Sequence, residues 1–483
     1  MRKFLLLLIA VAVSTTFAGN VIYVDANAED GGDGMTRETA FKTIREGVNA
    51  ADEGDSVYVL GGAERVYSIA NANDAVLIDE ARVSLVGCDM DWVPITHYSQ
   101  TNSMPHIALS NTYAKDCKEN DGRVTDPIGV ITTNVTISGL KFTFGNMSFM
   151  QQNYGGSGLI CCYRVTNFTL RACAFLMPQN ETGKYKGAGT DGIIKGSTDN
   201  NIFTSSYLTI ESSYFQLVRY RDMIVPFSTF GEVVDVRNSC FVNVDSLYKT
   251  TGDHNKSTLN FVSNIVYNCA SDSDGERKEF LSSVGNTGNH FPISAEIAYN
   301  LFVHDSGDNN YFAMLGHGGR YGGGYNKSVK IHHNTVIGYD AIFVSHRRGS
   351  DDTDLWTPDI YNNLILLKSD GCLIYEEGDK LWKDNAPCSY KDGSAFTNNA
   401  YLATTIFNEG TATLVEGYDL LSKLKVENNV LLETVPEFIS TDLSSPDFYR
   451  FKQSKNQSLC SRRHEYIGAV EPLYDNGLLI LIK

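Results

Sequence analysis

One short pattern recurs along the chain and restricts its fold more than any other feature. From Val135 onward it reads apolar, polar, apolar, polar, a small residue or Asn, Asn or another small residue, any residue, apolar. Val234-Asp235-Val236-Arg237-Asn238-Ser239-Cys240-Phe241 and Val329-Lys330-Ile331-His332-His333-Asn334-Thr335-Val336 are two copies. The second apolar position falls at Ile137, Leu170, Ile210, Val236, Phe261, Ile297, Ile331, Ile360, Phe396 and Val426, so copies lie 25 to 40 residues apart. Three residues further on, the last six copies carry Asn264, Asn300, Asn334, Asn363, Asn399 and Asn429. Alternation with period two predicts short strands. Asn between them predicts a tight corner, because Asn tolerates left-handed backbone and its amide satisfies neighbouring groups. A single copy buries few apolar side chains and needs neighbours above and below it. Stacking then sets the amides in a ladder.

A further strand precedes this pair in most copies. Asp191-Gly192-Ile193-Ile194-Lys195, Asp222-Met223-Ile224-Val225-Pro226 and Asp245-Ser246-Leu247-Tyr248-Lys249 align, and segments starting at Glu279, Tyr311 and Asp340 continue the column. Three strands per turn over the ten copies predict an all-β solenoid of parallel sheets, roughly 50 Å long at ~4.8 Å per coil. The open end of such a rod needs a cap. Val21–Val24 reads as a first strand and residues 30–34 as a turn. A helix follows, with Ala40, Phe41, Ile44 and Val48 at helical spacing and Gly54 beyond its end, and Ser56–Leu60 returns to strand.

Composition removes several other classes. Of 483 residues, 42% are hydrophobic and 20% charged, which excludes wholesale disorder. Arg2 and Lys3, the apolar run from Phe4 to Val13 and Thr16-Phe17-Ala18 read as a signal peptide cleaved after Ala18. The run is too short for a membrane span, so a secreted or cell-surface protein, expected to be monomeric, is predicted. A formal charge of −17 disfavours nucleic acid as a partner. The ten cysteines match no metal-ligand spacing and are expected to be mostly buried thiols, with a disulfide or two permitted by export.

Tyr23-Val24-Asp25, Asp33-Gly34, Thr39-Ala40-Phe41-Lys42-Thr43-Ile44 and Gly54-Asp55-Ser56-Val57-Tyr58-Val59 together resemble the entry segment of secreted right-handed parallel β-helix proteins of the pectin lyase-like superfamily, which includes many polysaccharide lyases. Asp447-Phe448-Tyr449-Arg450-Phe451 and Ile467-Gly468-Ala469-Val470-Glu471 resemble their closing segment. The resemblance implies a right-handed parallel β-helix with a capping helix, divided as signal peptide 1–18, cap 19–60, helix with long loops 61–472 and tail 473–483.

It also implies a polysaccharide groove along one sheet. A lyase removes the proton beside a uronate carboxylate, and the C–H electrons form a double bond as the linked sugar leaves. The carboxylate must be neutralised by Ca²⁺ or by cationic side chains, and the base is a Lys, Arg, His or Tyr. Lys195 and Lys249 share an offset two coils apart and are the first candidates for the base. Asp191, Asp222 and Asp245 stand at that strand's start as candidate Ca²⁺ ligands, and Arg219 and Arg221 as substrate contacts. A salt-bridge ladder in solvent would show the same charges. His317 and His346 align at equal offset in adjacent coils and form a second candidate acid–base set, with Arg347 and Tyr321 as further substrate contacts. His332-His333 reads as a pair of corner residues.

Established lyase motifs are missing: no Arg-x-Pro-x-x-Arg segment occurs, and no Arg-His follows Lys195-Gly196-Ser197 on the next coil. A non-catalytic carbohydrate-binding solenoid is therefore the alternative to a uronate lyase, and a glycoside hydrolase with paired carboxylates a third.

Overall fold

A computed structural model describes residues 19–109, 127–144, 158–176, 192–196, 198–199, 202–203, 205–216, 225–228, 230–244, 247–249, 258–269, 279–281, 294–305, 313–317, 327–339, 341–346, 356–368, 372–377, 394–402, 405–408, 425–451 and 467–469. The expected signal peptide and the tail 473–483 lie outside them.

The ten apolar positions of the repeat form one unbroken column. Ile137 pairs with Leu170, Leu170 with Ile210, and so on through Val236, Phe261, Ile297, Ile331, Ile360 and Phe396 to Val426. Ile22, Val57 and Leu85 extend it upstream. The result is a first sheet of 13 parallel strands and a second of 12, with a third face made of a six-stranded and a five-stranded sheet. Each coil runs from the third face to the first sheet and then the second; crossovers between parallel strands wind right-handed, and the molecule is a right-handed parallel β-helix. One short antiparallel pair, Thr198–Asp199 with Ile202–Phe203, stands apart.

The core follows from the register. Stacking puts like over like, so Phe142, Phe175, Phe215 and Phe241 form a pile of near-parallel rings with centroids 4.9, 4.8 and 5.2 Å apart. All four are fully buried.

The corner between the first two sheets divides its work between two residues. The left-handed residue is the one before the ladder position: Ala172, Ser212, Asn238, Ser263, Tyr299, His333, Asn362, Asn398 and Asn428 all have φ between 51° and 59°. The next residue supplies the ladder. Asn264 donates its backbone N–H and its Nδ2 to Asn300 Oδ1 at 2.9 and 3.1 Å. Asn300 does the same to Asn334, Asn334 to Asn363, Asn363 to Asn399 and Asn399 to Asn429. Each Nδ2 also reaches the carbonyl of the apolar column one coil back, as Asn334 does to Ile297 at 2.8 Å. Upstream, Ser239 and Ser213 hold the same slot with hydroxyls, receiving the N–H of Ser213 and Cys173 at 3.1 and 3.2 Å.

The cap is shorter than its apolar spacing predicts. Only Ile44–Asn49 is helical, capped by Thr43, whose hydroxyl accepts the Glu46 N–H while the Glu46 carboxylate accepts the Thr43 N–H. Phe41 instead continues an extended segment and bridges Val24. Ile44 and Val48 still bury their side chains against the first coils. At the other end, Phe448, Tyr449 and Ala469 pack on Leu301 and Val303, and Phe451 and Ile467 on Leu364, Leu366 and Ala400. The closing segment thus covers the outside of the second sheet.

Cys88, Cys161, Cys162, Cys173, Cys240 and Cys269 are buried free thiols. Burial pushes Cys88, Cys173 and Cys240 up to about 12. Among the described residues, no helix is long and apolar enough to cross a membrane.

Candidate functional site

The three faces differ in what borders them. From Val135 onward the first and second sheets meet at a two-residue corner, and the outside of the second is covered by the closing segment and by Ile95 and Met104 packed near Ala174 and Tyr214. Segments such as 177–191, 250–257 and 378–393 join the third face to its neighbours. Variable connections are where a rigid scaffold carries function, and they border the third face on both sides.

On that face the register sets up one column. Leu77 pairs with Gly129, Gly129 with Cys161, Cys161 with Lys195, Lys195 with Ser228 and Ser228 with Lys249. Ile160, Ile194 and Phe227, one residue earlier, are buried in the core. Lys195 is half-buried on the opposite pleat, Cys161 beside it is buried, and Lys249 stands two strands further, ~10 Å at the usual strand spacing. The lysines therefore share a column, but Ser228 stands between them, whereas the sequence alignment puts Pro226 there. Asp191, Asp222 and Asp245, with Arg219 and Arg221, lie outside the described residues.

The histidine column does not form. His317 pairs with Ser345, and His346 pairs with Glu377. The positions are therefore one residue out of step in the register. They also sit in the five-stranded sheet, whereas Lys195 and Lys249 belong to the six-stranded one. At the junction, the described backbone bond between the two parts is Leu247 N–H to the Phe280 carbonyl, 2.8 Å. Arg347 and Tyr321 lie outside the described residues.

His332 and His333, read from the sequence as corner residues, make a connected polar group at the edge of the first sheet. His333 occupies the left-handed corner, and its ring lies 4.9 Å from Tyr299 and nearly parallel to it. His332 stacks at 4.8 Å on Tyr361, the next residue in its column. Its Nε2 lies 3.2 Å from Glu296 Oε1, and its Nδ1 lies 3.0 Å from His333 Nδ1. A carboxylate only accepts, so His332 Nε2 donates to Glu296 and His333 Nδ1 donates to His332. Burial lowers the pKa of both imidazoles, His333 to about 4 with the neighbouring His332 adding to the fall. Both rings are thus held neutral with fixed tautomers, which suits a structural clasp at the corner.

No protein-family model matches the chain, and no curated protein matches it. Among solved structures it is similar to pectate lyase Pel9A, at a TM-score of 0.46 and 11% identity over 94% of this chain and 96% of that one. It is also similar to a rhamnogalacturonan lyase, at a TM-score of 0.40 and 13% identity over 93% and 100% of the two chains. A lacto-N-biosidase from Eubacterium ramulus gives a TM-score of 0.30 and 9% identity over 85% and 67%. Likeness at this level carries nothing about activity, and the fold rests on the strand register above.

Proposed function

We propose that the protein is a secreted polysaccharide lyase that holds an acidic polymer along the third face and cleaves it by β-elimination. The observation that carries this reading is the column Lys195–Ser228–Lys249 on the one face bordered by variable connections. In this reading one lysine takes the proton from the carbon beside the uronate carboxyl and the other faces that carboxylate. The C–H electron pair becomes the new C=C bond, the C–O bond to the next sugar breaks, and its oxygen takes a proton. Among the described residues no group of three His, Cys, Asp or Glu is placed to hold a metal. The Ca²⁺ expectation attaches to Asp191, Asp222 and Asp245, so Ca²⁺ is a variable of the test.

The test incubates the protein with several uronate polymers, with and without Ca²⁺, and follows ultraviolet absorbance from unsaturated ends. Replacing a general base costs ~10²–10⁴-fold in rate, so Lys195→Ala or Lys249→Ala abolishes the signal in practice. Reducing ends without absorbance identify a hydrolase. Retention of polymer with neither signal identifies a non-catalytic binding solenoid.

A further inference from the structure

The first two coils carry an aromatic surface on the outside of the first sheet, away from the lysine column. Tyr23 and Tyr58 are partners in adjacent strands, with rings 6.3 Å apart. Trp92 meets Tyr23 edge-to-face at 5.1 Å and 87°. The Arg37 guanidinium lies over both, 6.0 Å from the Tyr23 ring and 5.9 Å from the Trp92 ring. Arg37 is exposed and makes no ion pair among the described residues.

Trp92 has φ of 64°. Left-handed backbone is costly for a bulky side chain, and such outliers persist only where the surroundings enforce them. Here the enforcement is local. Asp89 N–H donates to the Val93 carbonyl and Trp92 N–H to the Asp89 carbonyl, at 2.9 and 3.1 Å. The Asp89 carboxylate takes the N–H of Asp91 and Val93, both at 2.9 Å. The turn also leaves Met90 67% and Val93 55% exposed beside the rings. A core tryptophan would not be held in strain within an exposed apolar rim. Half-exposed rings suit the C–H face of a pyranose, and a guanidinium with no carboxylate partner among the described residues suits a ligand carboxylate.

We propose that Tyr23, Tyr58, Trp92 and Arg37 form a second saccharide-binding site, which takes uronate-bearing segments of a polymer and anchors it at the N-terminal end of the rod. The identity of the polymer rests on the lyase reading; the site itself does not. A second copy of this chain is the disfavoured occupant, because each copy carries a formal charge of −17.

The experiment is native affinity electrophoresis through gels containing polygalacturonate or, as the neutral comparison, dextran. Retardation by polygalacturonate is expected, with little by dextran. Arg37→Ala and Trp92→Gly each weaken it about tenfold, the loss of one charge-assisted or stacking contact. Glycine relieves the left-handed backbone, so Trp92→Gly should keep or raise the melting temperature; Arg37→Ala decides the matter should it fall. Wild-type migration by both variants, equal retardation by dextran, or a change of mass in light scattering on Arg37→Ala would each overturn the site. Lys195→Ala separates the two proposals. It removes ultraviolet-active product if the lyase reading holds, and adding Arg37→Ala to it weakens retardation further whether or not that reading holds.

Discussion

Asn334 shows how much one side chain does in this fold. Its Nδ2 donates to Ile297 and His332 carbonyls and to Asn363 Oδ1, and its Oδ1 accepts the Asn300 N–H and Nδ2. Asn334→Ala strands the buried Asn300 N–H and the Ile297 carbonyl together, at roughly 3 kcal/mol. Urea denaturation should show that loss in the midpoint. The ladder Asn residues were legible in the sequence because six copies repeat one polar residue among apolar ones. The Ser239, Ser213 and Cys173 rungs were not, since a hydroxyl or thiol makes the same bond without the same letter. The left-handed position carries no single residue type for a related reason. Asn fills it at 238, 362, 398 and 428, but Tyr299, His333 and Ala172 fill it too. At that corner His333 also titrates. Its pKa falls from an ordinary 6.5 to about 4 on folding, so the unfolded chain binds the proton first. Stability from this group is present above about pH 6.5 and is lost as pH falls towards 4. His333→Asn keeps a residue at ease in left-handed backbone and should flatten the fall of melting temperature between those values.

At the scale of the strand, the ring pile Phe142–Phe175–Phe215–Phe241 links four coils through one side chain each. Phe215 touches a ring on either side, so Phe215→Ala opens a cavity that neither neighbour can close. The expected cost is about 3–5 kcal/mol, read as a shift of the denaturant midpoint, with Phe215→Leu costing less. First-sheet strands were legible because one face is apolar and the other polar, which fixes register. Third-face strands were less so. Ile193 and Ile194 are both fully buried, so alternation gives no phase there. The alignment consequently slipped by two at Pro226 and by one at His346. Lys195 and Lys249 stayed in step because the shifts before and after Ser228 cancel.

Across the whole molecule, the closing segment shields the second sheet's outer side. A protein ending at Leu431 would expose Leu301, Leu364 and Ala400 together, and should bind an apolar dye and associate in light scattering where the full chain does not. The described thiols should resist iodoacetamide until the rod unfolds, since burial holds them protonated; peptide mass mapping checks this. The amide-to-amide bonds have a direction: from Asn264 to Asn399 each rung donates to the Oδ1 of the next rung towards the C-terminal end. An added turn of chain need bring only one carboxamide at the corner to join the ladder, whatever length of loop it carries elsewhere. Gene segments encoding whole turns can therefore be gained or lost without redesigning the interior, which leaves loop content free to diversify.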